Sequence, residues 1–171
     1  GGIPCTLDLR TGITSLSSPE FAPLTSATLE MGTFYNLPLL SASKYTDSLT
    51  FDEQCGAEKI MSSFASLASG ADIIYGNGDL GIATILSLEQ LIIDLDLVLA
   101  ARRFVEGIVV DEERLAVEAI KRVGPGSHYL EDPQTLAFMR SEERLSPRSY
   151  NRLGTRSTAQ AQLEKAHAIV Q

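Results

Sequence analysis

Short apolar runs alternate along this chain with segments whose apolar residues recur at helical spacing, and that alternation constrains the fold more than any other feature. Residues 3–9 read as a strand that ends at Arg10-Thr11-Gly12. Ser18-Pro19-Glu20 then opens a helix: Ser accepts bonds from free N–H groups, Pro tolerates the first helical position, and Glu suits the positive helix end. Leu24, Ala27, Met31 and Phe34 follow on one face, and Asn36 and Pro38 stop it. The pattern repeats with a strand over 38–43, a polar loop over 44–50, and a helix capped by Asp52. Its expected inner face is Ala57, Ile60, Met61, Phe64, Leu67 and Ala68, and Gly70 ends it. A third strand over 71–75 leads into Gly76-Asn77-Gly78. Ser87 caps a third helix with Leu88, Leu91, Ile92, Leu95 and Leu99 on one face and Asp94 and Asp96 on others.

After Gly107 the character changes. Asp111 caps a short helix with Leu115, Ala119 and Ile120 inward. Residues 123–128 make a sharp turn, and Asp132-Pro133 opens a helix to about Glu143. The polar stretch 145–158 reads as a surface connection, and Ala159, Leu163, Ala166 and Val170 mark a last amphipathic helix. Strand–helix units in tandem imply parallel strands with right-handed crossovers. Three such units in 171 residues make either a small open α/β sheet or part of a barrel, since a closed (β/α)8 barrel takes about 250 residues. In both, chemistry belongs on the loops after the strands' C-terminal ends: 9–15, 43–50 and 75–84. The expectation is a single partial domain over 1–171, with βα units to 107 and a helical segment over 108–171.

Composition narrows the function. A formal net charge of −8 argues against a general binder of nucleic acid or anionic membrane. Two cysteines, Cys5 and Cys55, make no disulfide framework, and two histidines, His128 and His167, make a thin basis for a metal site, so no bound metal is expected. No apolar run of about 18 residues exists, and the N-terminus lacks the pattern of a signal peptide, so the expected place is the cytoplasm.

Gly76-Asn77-Gly78-Asp79-Leu80-Gly81 matches G-x-G-x-x-G after an apolar strand. With Asp111 after 107–110, it allows a dinucleotide reading, in which a pyrophosphate rests on a helix N-terminus. Against this, residues 82–86 read as a further extended segment, and Ser87 starts the helix later. Asp8 and Arg10, two apart, share one face of the first strand end, either as a pocket pair or as a structural ion pair. Lys44, Tyr45 and Asp47 follow the second strand. Tyr faces attract quaternary ammonium groups, and a desolvated Lys can exchange protons; a solvated polar loop is the plainer reading. Glu89 lies in the first turn of the third helix, near the Gly-rich loop. Neither a P-loop nor a Ser-centred nucleophile elbow is present.

Several segments in succession carry a resemblance: Leu7-Asp8-Leu9-Arg10-Thr11-Gly12, Ser18-Pro19-Glu20, Tyr35-Asn36-Leu37-Pro38, residues 52–58, residues 68–76, Ser87-Leu88-Glu89-Gln90-Leu91 with Asp94, residues 124–130, and Thr135 with Arg140 and Glu142. In this order, from about Gly2 to about Arg152, they resemble the C-terminal part of the trimethylamine methyltransferase family. The resemblance implies the C-terminal part of a TIM barrel. It also implies methyl transfer from a tertiary or quaternary methylamine to the Co(I) of a corrinoid (cobalamin) on a separate partner protein. Some members of that family carry pyrrolysine and others, including a glycine betaine methyltransferase, do not; this chain has none, which favours a quaternary-amine-like substrate, or an uncharacterised one, over trimethylamine itself.

Loop position and residue type then assign Asp8, Arg10 and Lys44 to catalytic positions and Tyr45, Tyr75, Asn77 and Glu89 to the substrate, with Gly76 and Gly78 where the cofactor approaches. Arg10 is the residue expected to meet a substrate carboxylate. With few strands to close a barrel, exposed apolar surface is expected to pair with a missing N-terminal half or with a second copy. The rival functions are a non-catalytic half-barrel that binds methylated amines or scaffolds a partner, and the dinucleotide-binding domain.

Overall fold

The first strand turns back on itself. In the computed structural model, which describes residues 3–141, 145–150 and 159–171, β1 (Thr6–Asp8) pairs antiparallel with β2 (Ile13–Ser15). The Asp8 carboxylate accepts from Arg10 N (2.9 Å) and Thr11 Oγ1 (3.0 Å), and Gly12, at φ 72°, donates its N–H to Asp8 O (2.7 Å). An aspartate that gathers the next residues' donors favours a turn over continued strand, and Gly12 takes the left-handed step. The expected strand over 3–9 followed by a loop over 9–15 is therefore corrected to a hairpin.

The next two units follow the expected order. α1 (Phe21–Phe34) is followed by β3 (Leu40–Ala42), α2 (Glu53–Ala68) and β4 (Ile73–Tyr75). Residues 18–20 form a turn before α1, so this helix starts just after the Ser-Pro-Glu signal. β3 and β4 pair in parallel, Leu40 against Ile73 and Ala42 against Tyr75. Asp52 caps α2 as expected, accepting from Cys55 N at 2.8 Å. The Gly-rich segment then folds into a second hairpin, β5 (Asp79–Leu80) against β6 (Ile85–Leu86). α3 (Leu88–Glu106) starts after it, and Ser87 Oγ accepts from Gln90 N at 3.2 Å.

The helices bury faces other than the expected ones. α1 buries Phe21, Thr25 and Leu29, while Leu24, Met31 and Phe34 stay exposed. α2 buries Cys55, Lys59, Ser62, Ser63 and Ser66, and Ala57, Met61 and Ala68 face outward. α3 buries Gln90, Ile93, Asp94, Asp96 and Ala101, with Leu88, Leu95 and Leu99 exposed. Small serines let backbones approach closely, and their hydroxyls bond one another and the helix: Ser41 Oγ and Ser66 Oγ share a bond of 2.7 Å, and Ser66 Oγ donates to Ser62 O at 2.8 Å.

Two compact units result: Gly1–Val105 with Pro147–Gln171, and Glu106–Ser146. In the first, α7 (Ala159–Val170) buries Ala166, and Asp96 accepts from Ser149 N (2.7 Å) and Ser149 Oγ (2.6 Å). The second comprises α4 (Glu112–Leu115), α5 (Val117–Val123) and α6 (Pro133–Arg140). The single helix expected after Asp111 is split at Ala116, which is left-handed at φ 55°. Ala119 is buried as expected, but Leu115 and Ile120 are exposed. Asp132 caps α6 through Gln134 N (2.9 Å) and pairs with Arg122 (2.6 Å). Residues 151–158 of the expected connection, Glu142 and the first two glycines lie outside the described residues.

Candidate functional site

The parallel register of β3 and β4 sets the geometry. Ala42 lies opposite Tyr75, so the residues that follow each strand run on side by side. Ser43 N donates to Tyr75 O at 3.2 Å, and one step further the Lys44 ammonium donates to Asn77 Oδ1. Tyr45 and Tyr75 meet edge to face, ring centroids 6.4 Å apart at 90°. The sequence-assigned residues Lys44, Tyr45, Tyr75, Asn77, Gly76 and Gly78 are thus brought together at one pair of strand ends. Tyr75 also borders a groove of about 150 Å³ lined by Leu29, Leu39 and Leu40 together with Thr25, Thr28 and Ser41.

The loop over 44–50 is not the solvated loop of the plainer sequence reading. Ser43, Lys44, Tyr45, Thr46 and Ser48 are all buried. Glu58 on α2 accepts from Thr46 Oγ1 (2.6 Å) and Asp47 N (3.0 Å), and Ser62 Oγ accepts from Lys44 N (3.1 Å). From the other side, Ile82 N and Gly81 N donate to Thr46 O and Ser48 O, both at 2.8 Å. Lys44 is forced to φ 76°, a region that costs an L-residue roughly 1–2 kcal/mol. Asp47 Oδ2 accepts from Ser15 Oγ at 2.6 Å.

Behind Lys44 lies an ion pair that the sequence reading missed. Lys59 Nζ and Asp94 Oδ2 are 2.7 Å apart and both side chains are fully buried. Asp94 also accepts from Gly78 N (2.7 Å) and Gln90 Nε2 (2.7 Å), joining α2, α3 and the Gly-rich loop at one carboxylate. Burial raises the Asp94 carboxyl above its usual range, against the pull of Lys59 and those donors. Lys44 feels desolvation first, then the opposed charges of Asp94 and Lys59, and falls to about 8. The signal in the sequence was the spacing of Lys59, Ser62, Ser63 and Ser66: a lysine sharing a helix face with small polar residues sits against a close neighbour rather than in water.

The remaining assigned residues lie elsewhere. Arg10 is 93% exposed at the hairpin tip, 3.6 Å from Asp8. Asp8 is held below its ordinary value by the Arg10 N–H first and Thr11 second, so its carboxylate serves its own turn. Glu89 accepts from Ser87 Oγ (2.9 Å) and meets His167 Nδ1 of α7 at 2.8 Å; that histidine above all holds Glu89 at about 2. His128 is exposed, and among the described residues no group of three or more His, Cys, Asp and Glu is placed to hold a metal ion.

The two glycines assigned to the cofactor are needed by the loop itself. A Cβ on Gly76 would meet Ser43 O at 2.6 Å, and one on Gly78 would meet Ser87 O at 2.9 Å. On the side where a Cβ would stand, their close neighbours are this chain's own atoms, so the loop itself requires glycine at both positions. Gly76–Gly81 also leads into the β5–β6 hairpin rather than a helix, so the helix N-terminus that a dinucleotide's pyrophosphate needs is not there, and that alternative is corrected.

The fold and the strand-end cluster define an α/β chain with paired aromatic rings and a buried amine beside them. Residues 1–146 match the model of the trimethylamine methyltransferase (MTTB) family, and the chain belongs to that family. A trimethylamine methyltransferase of Methanosarcina barkeri is 38% identical over 135 residues, which is 79% of this chain and 27% of the relative. One from Desulfitobacterium hafniense is 29% identical over 96% of the chain and 34% of its own length. A glycine betaine methyltransferase of Desulfitobacterium hafniense is 33% identical over 75% of the chain and 27% of its own length. The chain thus spans about a quarter to a third of the curated relatives it matches. No helix among the described residues is long and apolar enough to cross a membrane.

Proposed function

We propose that this chain contributes the methylamine site of a methyltransferase that moves a methyl group from a tertiary or quaternary methylamine to the Co(I) of a corrinoid on a separate protein. The observation that carries the reading is the Tyr45–Tyr75 pair at parallel strand ends in a chain of this family. The strand pair with α2 between its members supports the further proposal that β3 and β4 are neighbouring strands of a (β/α)8 barrel.

The corrinoid supplies a low-valent cobalt nucleophile for the methyl carbon, and no step is routed through Gly76 or Gly78. This chain's residues hold the amine. Ring faces attract a methylated ammonium by their quadrupole, worth about 0.5–2 kcal/mol each, without the desolvation cost of a full counter-ion. Holding that cation while excluding water is what a displacement at a methyl carbon asks of a protein. The buried loop over 43–48, clamped by Glu58 and by the Gly81 and Ile82 N–H groups, gives the rings a fixed footing.

The test mixes the chain with a Co(I) corrinoid protein and, in turn, trimethylamine, tetramethylammonium and glycine betaine, and follows absorbance. Formation of methyl-Co(III) with one of them is the expected result. No change with any amine, from folded chain, overturns catalysis by this chain. Calorimetric binding of an amine in that case would favour the non-catalytic half-barrel.

A further inference from the structure

Lys44 takes no part in the methyl transfer proposed above, and its surroundings suit an ammonium badly. The residue is 2% exposed. Among the described residues its Nζ has Asn77 Oδ1 as acceptor, although an ammonium carries three N–H donors. The charges it feels are those of Asp94 on α3 and Lys59 on α2, and these two already answer each other across 2.7 Å. A protonated Lys44 is therefore the surplus positive charge of the cluster. It also stands in the wrong place for a methylated ammonium. Tyr45 follows Lys44 directly, and Tyr75 stands two residues before Asn77, so an ammonium held by the rings would meet a like charge.

Burying an uncompensated charge is costly, so desolvation favours the neutral amine, and Lys44 falls to about 8. Near neutral pH roughly one Lys44 side chain in ten is then an uncharged nucleophile, against fewer than about one in a thousand for a free lysine. Approach to it is restricted. Ser43, Thr46 and Lys59 are buried, whereas Asn77 is half-exposed, so the amine opens on the Asn77 side. Such an opening suits a small, uncharged electrophile. We propose that Lys44 takes up carbon dioxide as a carbamate, which turns the surplus cation beside the aromatic pair into an anion. The Lys44 nitrogen lone pair forms a bond to the carbon of CO2, one C=O π pair moves onto oxygen, and an N–H proton leaves to water; nothing is oxidised or reduced. Donors for the new oxygens stand in the same cluster. Lys59 Nζ has Asp94 Oδ2 as its acceptor and two further N–H donors, Ser43 Oγ is buried without a partner in the residue before Lys44, and the Asn77 amide offers N–H donors once it turns over. An ammonium at the rings would then meet a counter-charge. That effect rests on the methylamine reading above, whereas the carbamate rests on the cluster alone.

The experiment places the full chain in isotope-labelled bicarbonate and observes it by carbon NMR. A carbamate resonance should appear beside that of the chain's α-amino group, which also reacts with CO2. Lys44→Gly suits the left-handed backbone, and Lys44→Arg keeps a charge without a nucleophile. Each variant, with wild-type helix content by circular dichroism, should lose the first resonance and keep the second. Calorimetric affinity for tetramethylammonium should rise about tenfold with bicarbonate in the wild-type chain and stay unchanged in both variants. A spectrum with the α-amino resonance alone, or one that either variant leaves unchanged, overturns the proposal. A Lys44 carbamate with no tetramethylammonium binding at any bicarbonate concentration overturns the methylamine reading and leaves the carbamate standing. Binding that ignores bicarbonate overturns the counter-charge.

Discussion

Two strand ends in this chain carry a basic residue beside a potential partner, and they have opposite fates. At the β1–β2 hairpin, Arg10 stands in water and Asp8 bonds the backbone of its own turn. At the β3–β4 pair, Lys44 is 2% exposed and leans on Asn77 from the neighbouring loop, over the Lys59–Asp94 pair. The local sequences look alike, with charged residues just after apolar ones. What differs is the strand's neighbour: an antiparallel hairpin closes on itself, while a parallel pair brings together loops 33 residues apart.

The sharpest break of that contrast is Asp94→Ala. It strands Lys59 as a buried charge and frees Gly78 N and Gln90, and should cost about 3–5 kcal/mol in urea unfolding. A loss under 1 kcal/mol would mean the strand-end cluster is as loosely held as the hairpin.

Lys44→Gly should act in the other direction. The Lys44 value falls from 10.5 in the free side chain to about 8 in the fold, so between those values the unfolded chain binds more protons. Wild-type stability therefore rises with pH across that window, and below it the charged amine is a burden. The variant should gain about 1–2 kcal/mol near neutral pH from the lost charge and the relieved backbone, and its advantage should shrink towards pH 10.5. A destabilised variant at neutral pH would show that the ammonium has an anionic partner already.

At the hairpin the effects should be smaller. Asp8→Ala removes the acceptor for Arg10 N and Thr11, and amide exchange at Arg10 should quicken. Because Asp8 is held low in the fold, its contribution is present above the ordinary value of 3.8 and disappears as pH falls through the folded one. Arg10→Ala should leave the unfolding midpoint where it is, since its side chain is 93% exposed. A clear shift there would put Arg10 in a contact and dissolve the contrast.

The sequence made some of this legible and hid the rest for definable reasons. Helix starts were readable because Asp52, Ser87, Asp111 and Asp132 act within three residues of themselves. The β3 and β4 strands were readable because both are apolar runs bounded by turn residues. Inner faces were not: Leu24, Met31 and Phe34 mark a stripe that needs covering, but periodicity does not say by what, and α1 turns Phe21, Thr25 and Leu29 inward instead. At the strand ends, Tyr45 and Tyr75 stand out in the sequence by their places at the ends of apolar runs, and their pairing follows from the register. Lys59 was overlooked because a helical lysine ordinarily lies in water, and only its contact with Asp94, 35 residues away, reverses that.

The two thiols offer a way to watch the buried cluster. Cys5 is exposed, whereas Cys55 lies fully buried in the first turn of α2, one turn before Lys59, and burial pushes it up to about 11. A thiol reagent should therefore modify Cys5 within its ordinary reaction time and reach Cys55 only when α2 lifts away. With Cys5 replaced by serine, the alkylation rate of Cys55 becomes a clock for that lifting. A ligand that tightens the Lys44–Lys59–Asp94 region would slow the clock, without any catalytic assay or label on the ligand.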